Sequence, residues 1–342
     1  MSTVTKPLAK DETLARIATA LEAQGVLNQL DTDDKSSYVA AINEVLTKTL
    51  DVKAHLCHNI PRLVPKDITS YYRDGSIWDR LNGTNGYELY EDLFVGDYFE
   101  MTEAISAYNQ NSQYQAVGSK YVTIAGIDMH FGDGDGQDSV GAITYHHLDM
   151  VPGKGFDTSA AQHFGRSRMN ATNTTENGYV GSEMNVTTIG PVTTTGKRAS
   201  VDSTATINEQ LVAEFGTHLK KQRVWLSNSM NTNGASHVNG QTGCANGAAW
   251  VTVQAVLMSE VEVYGSGAWA TTGYDVGNQN KQLPLFANSK VAMNNRSAYY
   301  WLTGIASSAC FCSCATNGGS PYDGASDAYL CVRPRFILVK RS

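Results

Sequence analysis

The chain has 342 residues, a formal net charge of −7, and 42% hydrophobic against 17% charged residues. That balance excludes a general nucleic-acid surface, which needs a basic stripe. No apolar run reaches the length of a membrane span, and no signal peptide is read at the start. Abundant Gly, Asn, Ser and Thr favour short strands and many turns. The length allows two domains, or one large domain with an arm.

Residues 11–30 read as a helix, with Leu14, Ile17 and Leu21 at three- and four-residue spacing and Gly25 near its end. Asp31-Thr32-Asp33-Asp34 supplies caps for a second helix to about Val52, with Val39, Ile42, Val45 or Leu46, and Leu50 on one side. The stripe is narrow and flanked by Ala, which suits a helix–helix seam between subunits at least as well as an ordinary helical hairpin. Residues 1–52 are therefore expected to form a helical arm that joins copies of the chain. The expected fold class is α+β.

Residues 53–86 read as a connector. His55, Cys57 and His58 lie close together but lack a fourth ligand, so no metal is assigned. Pro61 and Pro65 break regularity, Asp74-Gly75 and Asn82-Gly83 are turns, and Trp78 and Leu81 are expected to dock on the next domain. That domain is expected over 87–342. Tyr121–Asp128 and His146–Pro152 read as strands of a small antiparallel sheet, entered by the turn at Leu93–Phe99. His146 and His147 are expected on opposite strand faces, one buried and one exposed, and so unable to act as a pair. Asp133–Asp138 has the flavour of a calcium loop but lacks the glutamate at its twelfth position, and reads as a solvated hairpin. Thr158–Thr204 is rich in Asn, Thr and Gly and is expected to form long surface loops. A helix over Ser203–Phe215 should share Ile207, Leu211 and Phe215 on one side. Val224–Asn228 then reads as a strand, Ser229–Gly247 as an Asn/Gly loop, and Ala249–Leu257 as a strand leading into Met258–Gly265.

The most informative stretch is 297–337. It opens with Tyr299-Tyr300-Trp301-Leu302 and closes with Val332-Arg333-Pro334-Arg335-Phe336-Ile337, both reading as buried strands. Between them, alternation puts Cys310, Cys312 and Cys314 on one strand face and Phe311 and Ser313 on the other. Asn317-Gly318-Gly319 supplies a turn that admits positive φ. A rigid frame around small, varied side chains is how binding sites are commonly built. The cysteines do not form a secreted disulfide framework, lack C-x-x-C spacing and have no nearby His, so neither metal nor cofactor is expected. G-x-S-x-G, Walker, H-E-x-x-H and dinucleotide motifs are absent from the sequence.

Tyr300-Trp301-Leu302, Phe311, Asn317-Gly318-Gly319 and Val332-Arg333-Pro334 before a final strand resemble the end of a C-type-lectin-like domain. The version in question occurs in bacteriophage and prophage virion proteins, some of them the variable proteins of diversity-generating retroelements. Gly96-Asp97-Tyr98-Phe99, Ala125-Gly126-Ile127-Asp128, His146–Pro152 and Met258–Gly265 follow the same order upstream, and residues 30–45 resemble a segment of phage fibre proteins near their attachment. The likeness extends over about residues 85–342. It implies a lectin-like domain whose ligand-binding face, near 307–331, comprises Ser307, Ser308, Cys310, Cys312, Cys314, Asn317, Ser320, Tyr322, Asp323, Ser326, Asp327 and Tyr329. Trp301, Arg333 and Phe336 would be its structural framework, with Trp301 and Phe336 buried. Tyr322, Asp323, Asp327 and Tyr329 are expected to be exposed together, as suits recognition. The implied function is receptor binding on the virion: adhesion to a bacterial surface carbohydrate or protein, with residues 1–52 as an attachment and oligomerisation arm that makes a homotrimer and joins other virion proteins. The alternative is a capsid or tail decoration protein using the same fold for assembly. Formylglycine-generating oxidases share the fold and use cysteine, but no cation in sequence flanks the cysteine cluster closely enough to activate a thiol, so no enzyme activity is expected.

Overall fold

Most of the apolar runs of the sequence converge on one antiparallel sheet. Its strands are β1 (Tyr98–Glu100), β2 (Tyr121–Ile127), β3 (Leu148–Pro152), β4 (Leu219–Lys220), β7 (Ala255–Leu257) and β11 (Pro334–Leu338). β11 is central. One edge pairs with β3 (Phe336↔Met150, Leu338↔Leu148), while the other takes β7 at its start and β4 at its end. β3 and β11 are buried along their whole length, and β2 nearly so, which explains why they read as continuous rather than alternating apolar runs. The fold class is α+β. In this computed structural model the described residues are 58–342, except 109–113, 115, 132–144, 237–241, 272, 276–280, 295–298 and 341–342. The expected arm, the pair His55 and Cys57, and the Asp133–Asp138 loop lie outside the described residues.

The stretch expected as a connector packs into the same compact unit from His58 onward. Helices α1 (Thr69–Asp74) and α2 (Ser76–Asn82) are joined at Gly75, whose φ of 80° makes it a left-handed C-cap. Ile68, Ile77 and Leu81 are fully buried, and the segment is tied to β1 by the Ile68 N–H donating to the Tyr98 carbonyl (2.8 Å). Lys340 reaches back from beyond β11 to Asp79 (2.8 Å).

Helix α3 (Ile207–Phe215) begins at Ile207 rather than Ser203. Thr206 and Glu209 close a capping box there, and Thr206 has extended backbone. As expected, Ile207, Leu211 and Phe215 are buried, with Phe215 against Phe336 (ring centroids 5.7 Å apart). Two expectations are corrected. Residues 158–204 are not only surface loops: Phe164, Met169, Tyr179 and Ile189 are fully buried, and Met184–Ile189 forms a π-helical turn. A few large side chains, spaced too irregularly for a periodic signal, carry that segment into the core. Residues 229–247 are not a free loop either. β5 (Gln222–Ser236) and β6 (Thr242–Val253) pair as one long hairpin, interrupted by register shifts near Ser229 where Asn and Gly break the alternation.

Candidate ligand-binding face

The face rests on a second sheet, in the order β10-β9-β8, of β8 (Tyr300–Ile305), β9 (Cys310–Cys314) and β10 (Tyr322–Gly324). Two hairpins build it. The first turns at 306–309, with the Ala306 N–H donating to the Cys310 carbonyl (3.0 Å). The second turns at Asn317-Gly318-Gly319, where Gly318 has φ 78° and Asn317 Oδ1 accepts from the Gly319 N–H (2.9 Å). The framework lies beneath. Trp301 is fully buried and its Nε1 donates to the Ser167 carbonyl (2.8 Å). Phe336 is fully buried. Arg333, also buried, donates from Nη1 to the Ala292 carbonyl (2.7 Å) and from Nη2 to Gln162 Oε1 (3.2 Å), with Tyr300 and Phe286 rings beside its guanidinium.

The expected binding residues divide. Cys312 and Cys314 are fully buried and Ser307 nearly so, which corrects their assignment to a surface. The alternation exists, but both faces of β9 are covered: Phe311 and Ser313 are buried as well. The Cys312 face packs so tightly that a Cβ at Gly304 would lie 2.9 Å from Cys312 Sγ and 3.1 Å from the Ala270 methyl. Burial, with Glu260 and Asp275 alongside, pushes the Cys312 thiol well up, and burial raises that of Cys314. Both are the opposite of an activated nucleophile. Ser308 and Cys310 are half-buried at the first hairpin, and Asn317 is exposed at the second.

The rest of the set divides between the two sides of β10, with Tyr322 opposite Cys312 and Asp323 opposite Phe311. Asp323 accepts from the Ser313 hydroxyl (2.5 Å) and the Tyr329 hydroxyl (2.9 Å). Asp327 accepts the Gly324 N–H (2.9 Å), and Ser326 donates from its backbone and side chain to Asn173 Oδ1 (2.9 and 2.8 Å). Of the four side chains expected to be exposed, Tyr329 is exposed, while Tyr322, Asp323 and Asp327 are half-buried. Burial, with Asp323 nearby, raises the Asp327 carboxyl. Tyr329 is raised too, by burial and by its bond to Asp323.

Sequence reasoning missed the support of this face. Trp269 packs edge-on against Tyr322 (4.6 Å) and its Nε1 donates to the Ser320 carbonyl (3.0 Å). The Trp269 loop is gripped from below by Glu260, whose Oε2 accepts three consecutive backbone N–H groups, from Ala268, Trp269 and Ala270 (3.2, 3.0 and 2.7 Å). Its Oε1 accepts the Ser320 hydroxyl (2.8 Å). Glu260 opens helix α4 (Glu260–Tyr264), set by a Ser259/Glu262 capping box. The signals were Ser259-x-x-Glu262, and a lone tryptophan in a Gly/Ser/Ala stretch.

A second polar cluster lies under β3. His146 and His147, expected to point apart, both reach Asp128. His146 Nδ1 lies 2.8 Å from Oδ2, and the His147 N–H donates to Oδ1 (2.7 Å). They sit in the bend before β3, where strand alternation does not apply, and Asp128 itself has φ 54°. Tyr90 also donates to this carboxylate.

Comparison of the chain with protein family models, with curated proteins and with solved structures gives no match.

Proposed function

We propose that the protein is a bacteriophage virion component that adheres to a carbohydrate or protein on the bacterial surface through a C-type-lectin-like face on β9, β10 and residues 317–329. The observation that carries this reading is the cluster at β10, where Tyr329 and Asp327 lie beside Asp323, and Tyr322, on the other side of the strand, is braced by Trp269. Aromatic rings give large rigid contact at low entropy cost, and neighbouring carboxylates and amides add oriented hydrogen bonds. The raised, buried thiols of Cys312 and Cys314 speak for binding rather than cysteine chemistry. Copies assemble as trimers through residues 11–52, which also join other virion proteins.

The test uses labelled full-length protein and a panel of intact bacterial strains. Tyr322→Ala with Tyr329→Ala should lower binding to any strain that the parent protein binds by about a hundredfold or more, since central aromatics dominate interfaces. The melting temperature should hold, because neither ring is core. Asp323 is left in place because it satisfies the buried Ser313 hydroxyl. Unchanged binding by the double variant favours the alternative, a capsid or tail decoration protein with exposed loops.

A further inference from the structure

Ile60, Leu63 and Val64 are 62%, 99% and 80% exposed, three large aliphatic side chains within five positions. The segment that carries them is not loose. Asn59 holds both backbone groups of Ile127, its amide donating to the carbonyl (2.9 Å) and its Oδ1 accepting the N–H (2.8 Å). The Arg62 N–H donates to the Val95 carbonyl (3.2 Å), its Nε donates to the fully buried Asp97 (3.0 Å), and its guanidinium lies over the Phe94 ring. Pro65 packs so closely on Gly155 that a Cβ there would come within 2.8 Å, and the Lys66 N–H donates to Asp97 (2.8 Å). The polar and proline positions thus fix the backbone inward while the aliphatic ones are held out in water. Exposed single apolar residues are ordinary, but a braced group of three marks a contact.

We infer that Ile60, Leu63 and Val64 meet the same segment of other copies of this chain around a cyclic axis, extending the assembly seam into the body of the domain. Two observations choose this occupant. First, residues 1–57 join the domain at His58, two positions before Ile60, and their narrow apolar stripes suit a seam between copies. Copies joined through that stretch bring their 60–64 segments together. Second, the patch is fit to meet itself. Its flanking cations are neutralised within the chain, Arg62 by Asp97 and Asp92 and Lys66 by Asp92, so like copies do not repel one another. Three side chains cover far less than the roughly 1,000 Å² a stable interface needs, so the contact reinforces the seam rather than creating it. The inference extends the assembly part of the proposed function and does not depend on what the β9–β10 face binds.

Light scattering and sedimentation of the full chain over a dilution series test it. The parent protein should be an oligomer, and Leu63→Ser with Val64→Ser should raise its concentration of half-dissociation by roughly tenfold or more. Val201→Ser, on an 87% exposed residue elsewhere, should leave it unchanged. At concentrations where the proteins are dissociated, the double variant should melt with the parent. An unchanged dissociation midpoint overturns the inference. So does a monomeric parent, and a melting temperature that falls in the double variant would then show that a segment of the same chain covers the patch. The readout is mass, so its failure is distinguishable from a failure of cell binding.

Discussion

Asp275 and His163 are buried groups whose titrations pull stability in opposite directions. Burial pushes the Asp275 carboxyl up to about 7, against the N–H groups of Thr271 (3.0 Å) and Ile305 (3.4 Å) that it accepts. A carboxyl raised in this way contributes stability that is complete below about 4 and lost as pH rises through about 7. Burial, with Arg166 and Arg333 nearby, pushes His163 down to about 4. Its contribution is complete above about 6.5 and lost as pH falls through about 4. Between those limits the two slopes oppose. Asp275→Asn removes one of them, so urea unfolding of this variant should show stability falling by on the order of 1–3 kcal/mol from pH 6.5 to 4.5 relative to the parent. Parallel curves would show that Asp275 does not titrate there. The cysteines offer a second check. Cys244 and Cys310 are half-buried, whereas Cys312, Cys314 and Cys331 are buried. Brief alkylation of the native protein, mapped by mass spectrometry, should modify the first two and spare the other three. Modification of Cys312 at the rate of Cys310 would contradict the packing against Gly304.

At the scale of elements, what the sequence made legible and what it hid follow from side-chain size. β2, β3, β8 and β11 carry dense aliphatic and aromatic runs, and Trp301 and Phe336 were readable as buried for that reason. Trp301→Ala should cost about 3–5 kcal/mol in denaturant unfolding, as truncation of a large core aromatic does. A change below about 1 kcal/mol would mean that the frame of the face is misplaced. β9 was harder to read. Its cysteines and serine look like surface material, yet the small volume of Cys312 lets Gly304 and Ala270 close over one side, while Ser313 is covered on the other by Asp323. α4 was hidden because Val261-Glu262-Val263 alternates like a strand, and only its capping box betrays it. α3 was legible by period, but its start was not. Thr206→Ala should cost about 1 kcal/mol by removing the cap, measured as a shift in the urea midpoint at constant slope. The base of the β5–β6 hairpin was read as strands at 224–228 and from 249, but its extension through 229–247 was not, because Asn, Ser and Gly there carry no period-two pattern. Its pairing is set by a few cross-strand partners such as Trp225 and Trp250 (5.6 Å).

At the scale of the whole molecule, the main sheet joins segments far apart in sequence. β11 pairs with strands from residues 148–152, 219–220 and 255–257, so most of the sheet's central hydrogen bonding is non-local. Such a topology folds slowly and closes late. A chain ending at residue 331 should lack the strand that joins β3 to β4 and β7. It should show no cooperative thermal transition by circular dichroism, where the full chain shows one. A sharp transition in the shortened chain would mean that β11 is dispensable.

That position of β11 has a genetic consequence. The codons for residues 307–331 are read before those for Pro334–Leu338. A nonsense or frameshift change among them therefore removes the centre of the main sheet along with the altered loop. Missense changes at Asn317, Ser326 or Tyr329 leave the sheet intact. A library randomised over those codons should consequently sort itself. Out-of-frame members should fail to fold, and the members that fold should be in frame.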